Sequence, residues 1–133
     1  MKFPYKKLSS GISRPIIPIE VIYNGRSVKY HALIDSRADI NIFHKEIGDI
    51  LNIDIEKGRH GLVSGVVQTE PQDYFFHSVT IKVGGWEYET EVAFMPSLSK
   101  NGHGLLGQKG FFDLFKITFD NKKQSIELKE VQK

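Results

Sequence analysis

The sequence predicts a mainly β domain, small and barrel-like or built of orthogonally packed sheets, with one or two short helices. Three observations carry that prediction. β-branched and aromatic runs recur at short spacing, an Asn-Gly and a Gly-Gly pair sit between such runs, and no long stretch holds a helical period. With 133 residues, one domain is expected, large enough to bury a core but with little left for a second.

Residues 1–14 are rich in Lys, Ser and Gly and have no hydrophobic period, so they read as an N-terminal arm to a domain spanning 15–133. From Ile16 to Tyr23 and from Arg26 to Ile34 the chain reads as two strands. Asn24-Gly25 between them is a strong hairpin signal, because both central residues of a type I′ turn need positive φ. Asp35 therefore stands at the end of the hairpin's second strand. Ile40 to Phe43 is a short apolar strand, and Ile47, Ile50 and Leu51 within His44 to Asn52 have the spacing of one helical face.

Ile53 to Glu56 alternates, and Lys57-Gly58 turns. Gly61 to Val67 carries Gly61 and Gly65 around apolar residues, which suits either a mobile covering hairpin, the favoured reading, or a bulged strand. Tyr74 to Val83 and Trp86 to Met95 flank Gly84-Gly85. In the second of these, Trp86, Tyr88, Thr90, Val92 and Phe94 alternate with Glu87, Glu89, Glu91 and Ala93, which predicts one solvated, acidic face. Leu105-Leu106-Gly107 re-enters the core after a polar loop, Gln108 to Phe115 is expected as a short helix, and Lys116 to Asp120 with Gln124 to Leu128 closes the chain as a hairpin. Phe111, Phe112, Phe115 and Phe119 read as core packing.

Composition narrows the function classes. Charged residues make up 26% and the formal charge is +2, too small an excess to argue for nucleic acid or a membrane surface. There is no cysteine, so no disulfide and no thiolate metal site can form. The five histidines show no metal-ligand spacing, and neither a metal nor another cofactor is expected. Gly102-His103-Gly104 lacks the Lys of a phosphate loop, and Lys122-Lys123 reads as a solvated turn. The start of the chain is basic but continues without an apolar run, and no segment is long enough to span a bilayer, so a cytoplasmic location is the expectation.

The chemistry concentrates in Ala32 to Ile40, Ala-Leu-Ile-Asp-Ser-Arg-Ala-Asp-Ile, where a carboxylate is mounted on the end of a rigid apolar strand. This segment resembles the active-site loop of retropepsin-like aspartic proteases: Leu33, Ile34, Asp35, Ser36, Ala38 and Asp39 match the pattern. Leu105-Leu106-Gly107, roughly seventy residues on, resembles that family's second apolar-apolar-Gly segment. Two matched segments are more specific than either alone. The resemblance covers about residues 15 to 130 and implies a closed acid-protease barrel.

The resemblance further implies a homodimer acting on a peptide or protein substrate, with Asp35 as the catalytic carboxylate. Peptide hydrolysis by carboxylates needs two that share one proton, and Asp49, Asp54, Asp73, Asp113 and Asp120 are not followed by Ser or Thr and a small residue. A second copy would supply the partner. Ser36 would brace the paired loops, Asp39 would bind substrate backbone or pair with a cation, and Gly61 and Gly65 would belong to a flap over the substrate. Leu105, Leu106 and Gly107 would support the loop.

Two positions depart from the family pattern. Gln108 stands where the family often has an Arg that braces the loop. Arg37 stands where it has Gly, which allows close approach of substrate and unusual φ. A cation at ~6 Å, with an effective dielectric constant of ~20, would attract Asp35 by roughly 3 kcal/mol and favour its ionised form. The implied function is a retropepsin-type endopeptidase impaired by Arg37. The alternatives are an inactive relative that keeps the fold as a peptide-binding or dimerisation module, and a generic β-barrel domain.

Overall fold

A computed structural model of the chain describes residues 1–63, 72–96, 98 and 102–131. Its strands are β1 (Lys2–Pro4), β2 (Lys6–Lys7), β3 (Ser13–Arg14), β4 (Ile16–Tyr23), β5 (Arg26–Ile34), β6 (Ile42–His44) and β7 (Arg59–Val63), then β8 (Gln72–Val83), β9 (Trp86–Met95), β10 (Gly104–Leu106), β11 (Phe115–Asp120) and β12 (Ser125–Glu130). One helix, α1 (Lys45–Ile50), follows β6. The largest sheet runs β4-β5-β10-β6-β9-β8-β7, and β4 also pairs with β8. Six strands thus close into a barrel, and β7 extends outward from β8.

Turn chemistry fixes the hairpins. Asn24 and Gly25 take φ of 49° and 81°, and Gly84 and Gly85 take 58° and 88°, the left-handed values that two-residue turns between twisted strands require. Closure follows from the strand faces. Ile17 and Val21 of β4, Ala32 of β5, Ile81 and Val83 of β8 and Phe94 of β9 are wholly buried, and such burial contributes about 1.5–3 kcal/mol for each large apolar side chain. From Val92 to Met95 both faces of β9 are buried, where α1 packs against it and β6 pairs along its edge. Ala93 is therefore interior and the acidic face stops short of it, while Trp86 at the other end is 67% exposed.

The helices are shorter than the periodicity suggests. α1 begins after His44, whose Nδ1 accepts the Glu46 amide at 3.0 Å and caps the first turn. The alternation Ile53 to Glu56 reflects burial of Ile53 and Ile55 and not a strand, since Ile55–Lys57 forms a 3-10 turn. Gln108 to Phe115 is not a helix but a chain of turns: Gly110 takes φ of 105°, donating its amide to Asp113 Oδ1 at 3.0 Å, and only Phe115 N–H to Phe111 O closes an α-type turn there. Phe111 and Phe115 are core residues, Phe112 is partly buried, and Phe119 is 41% exposed on β11.

The first residues belong to the body of the molecule. β1 pairs with β12 in a three-stranded sheet completed by β11, with Phe3 opposite Ile126. The Met1 ammonium donates to Leu128 O at 3.0 Å. β2 and β3 form a small separate ribbon. Among the described residues no helix is long and apolar enough to cross a membrane.

Candidate active site

The two segments singled out in the sequence are neighbours in the barrel. β5 and β10 run parallel, with Leu33 opposite Leu105 and Ile34 opposite Leu106. The Asp35 amide continues this ladder, donating to Leu106 O at 3.0 Å. Asp35 thus leaves the sheet already held by its backbone, with its side chain 19% exposed.

The loop beyond it is tied down almost entirely through main-chain groups. Ala38 N–H donates to Asp35 O at 3.1 Å, Gln108 N–H to Ala38 O at 2.8 Å, and Lys109 N–H to Asp39 O at 2.9 Å. The Gln108 side-chain amide donates to Ser36 O at 2.8 Å. A neutral amide therefore does the bracing here that an ion pair would do with Arg at that position. Gly107 lies under the loop so closely that a Cβ on it would sit 2.7 Å from Ala38 O and closer still to Ile40 O. Leu106 is wholly buried and serves the loop only through its carbonyl, while Leu105 faces the cleft.

Asn41 is the residue that pattern reading passed over. It is wholly buried. Its Oδ1 accepts Gly107 N–H at 2.9 Å, and its Nδ2 donates to Glu91 O at 3.1 Å and to Thr90 Oγ1 at 3.3 Å. One amide therefore ties the segment after the Asp loop to both the glycine turn and β9. The only sequence signal is a lone polar residue within Ile40-Asn41-Ile42-Phe43.

Arg37 turns toward Asp35. Its amide donates to Asp35 Oδ1 at 2.9 Å, and its Nε lies 3.6 Å from the same oxygen. The non-glycine residues with positive φ, among those described, are Asn24, Asn52 and Gln124. The backbone at residue 37 therefore does not need glycine. The Arg37 side chain is 91% exposed, and a pair that open to water is worth about 0.2–1 kcal/mol. That is well below the roughly 3 kcal/mol expected for a poorly solvated cation near the carboxylate, because water screens the guanidinium.

Asp35, Arg37 and Asp39 open on one cleft of about 610 Å³, whose apolar wall is Ala38, Ile40, Ile42, Leu105 and Tyr74. Ser36 is exposed beside it. Gly61 sits on β7 opposite Tyr74. A Cβ at Gly61 would lie 2.5 Å from the tyrosine ring, so glycine there leaves room for Tyr74 to lie across the ladder. Phe76 meets Tyr74 edge-on at 5.1 Å, and the Arg59 guanidinium stacks 4.3 Å over Phe76. Gly65 and most of the expected covering hairpin lie outside the described residues. Among the described residues no group of three or more His, Asp or Glu side chains is placed to hold a metal.

No protein-family model matches the sequence, and no curated protein sequence matches it. Among solved structures the chain is similar to a retropepsin-like aspartic protease from Rickettsia conorii, at 15% identity and a TM-score of 0.64, over 95% of this chain and 97% of that one. It is also similar to the EIAV protease complexed with the inhibitor HBY-793, at 21% identity and a TM-score of 0.49, over 71% of this chain and 81% of that one. The first of these spans both chains almost end to end, and the chain has the retropepsin fold.

Proposed function

We propose that this chain is one half of a homodimeric aspartic endopeptidase, in which Asp35 of each copy meets its counterpart across a twofold axis. One carboxylate takes a proton from the attacking water while the other donates to the carbonyl oxygen of the scissile bond. The observation that carries this reading is the mounting of Asp35: its amide is held by Leu106 O at a parallel strand pair, and its side chain opens on an apolar-walled cleft. Asp39, exposed in the same cleft, binds the backbone of the peptide, and Ser36, exposed beside it, meets the partner loop. Gly61 on β7 belongs to the flap that covers the substrate, with Tyr74 as part of its inner wall.

Arg37 restrains this activity, chiefly by the bulk of its side chain in the cleft, since the exposed ion pair is worth too little to abolish catalysis alone. The two contacts of Arg37 with Asp35 Oδ1 also favour a second reading, a catalytically silent peptide-binding or dimerisation module. The test compares the chain with Arg37→Gly and Asp35→Asn against a mixed peptide library between about pH 4 and 7, where a shared-proton carboxylate pair operates. Cleavage by the glycine variant and none by the asparagine variant is the expected result. Dimers that fail to cleave in every form would leave the binding module as the function.

A further inference from the structure

A second cavity, of about 390 Å³, lies away from the Asp35 cleft, and basic residues from three separate parts of the chain converge on it. Lys6 comes from β2, Lys29 and His31 from β5, and His103 from the segment leading into β10. Its floor is apolar, formed by Leu8, Ile16 and Ile47 beside the Tyr30 ring. Among the described residues no carboxylate lines it, and none of the four basic side chains has an ion-pair partner there.

The surrounding charges do not change that balance. Glu20 of β4 stands opposite both Lys29 and Lys82 of β8 in the sheet register, and its carboxylate forms an ion pair with neither. On α1, Asp49 is taken by Lys45, and Glu46 precedes Ile47. Arg14 of β3 stands opposite Lys6 and adds positive charge. Burial first, and the Lys6 ammonium second, hold both His31 and His103 below the ordinary histidine range. Lys6 therefore acts on both imidazoles at once, although one lies on β5 and the other in the segment before β10.

We infer that this cavity binds a phosphate-class oxyanion, held by the Lys6 ammonium together with the ring N–H groups of His31 and His103. Lys29 adds charge at the rim. The apolar floor keeps water from screening these groups from beneath, and the bound anion offsets the mutual repulsion of several cations. Affinity rises as pH falls through the titration of the two imidazoles, because each proton gained adds a charge facing the anion.

The test follows the histidine ring protons of the whole chain by NMR during titration with inorganic phosphate, against sodium chloride at matched ionic strength. The expected result is a saturable shift of the His31 and His103 signals, with both pKa values rising, while His60, which is paired with Asp73, does not respond. Lys6→Gln should raise both pKa values without phosphate, and should weaken phosphate binding about fivefold, the worth of one unit charge at ~4 Å in water. Shifts that chloride reproduces, or that never saturate, would overturn the site. So would a Lys6→Gln chain that binds phosphate as tightly as the parent.

Discussion

Replacing Asn41 by Ala tests whether one buried amide holds the candidate active loop in place. The substitution leaves Gly107 N–H without its acceptor in a site closed to water, and an orphaned buried donor costs about 1–3 kcal/mol. Glu91 O and Thr90 Oγ1 lose a donor, and the missing amide leaves a void between β6, β9 and the glycine turn. Together these predict a loss of about 3 kcal/mol, the sum of one orphaned donor and a small cavity. For a domain of this size that is a fall of roughly 12 °C in Tm. Urea unfolding with an unchanged m-value measures it, and hydrogen exchange at the Gly107 amide should quicken out of proportion to that of the barrel strands. Asn41→Asp should cost more, since it sets a carboxylate against the Glu91 carbonyl. A loss below about 1 kcal/mol for Asn41→Ala, the net worth of one ordinary hydrogen bond, would refute the brace.

Three further outcomes follow from the same geometry. Arg37→Ala should restore peptide cleavage as fully as Arg37→Gly, because the backbone there is not left-handed; kcat/KM for the two variants decides it. Gly107→Ala should cost about 1–3 kcal/mol or more in urea unfolding, since its Cβ meets carbonyl oxygens that cannot rotate away, whereas Gly61→Ala meets a ring that can move and should cost less. Stability should fall on acidification from about pH 6.5, the unfolded histidine value, toward the lower folded values of His31 and His103. The sign follows from proton counts: in that window the unfolded chain binds more protons than the folded one, and Lys6→Gln should flatten the slope.

Much of this architecture could be read from local chemistry. Asn24-Gly25 and Gly84-Gly85 demand their turns wherever they occur, and Asp35 at a strand end was visible because Leu33-Ile34 precedes it. What could not be read was which distant segment lies beside which. The apposition of β5 and β10 is non-local, and only the likeness of both segments to one family pattern suggested it. Periodicity misleads where burial has another cause. Ile53 and Ile55 are both interior, one just before and one at the start of a 3-10 turn, and Gln108 to Phe115 has helical spacing but Gly110 bends it into turns. The role of Asn41 was hidden for the opposite reason: its partners, Gly107, Thr90 and Glu91, are all distant in sequence.

The loop's supports and its restraint differ in kind, which makes them separable by salt. Ser36, Ala38 and Asp39 are held by neutral hydrogen bonds from Gln108 and Lys109, on which ionic strength has little purchase. The Arg37–Asp35 pair is 91% exposed on the cationic side and is screened within a Debye length of about 3 Å at 1 M salt. If the charge of Arg37 were the whole restraint, raising salt would bring the parent chain to the activity of Arg37→Gly. An exposed pair worth at most about 1 kcal/mol limits that recovery to roughly fivefold. The expected outcome is a partial rise that stops well short of the glycine variant, leaving the remainder to the guanidinium's volume in the cleft. A parent chain that high salt brings fully to the glycine variant's rate, with the dimer intact, would show that charge alone restrains Asp35.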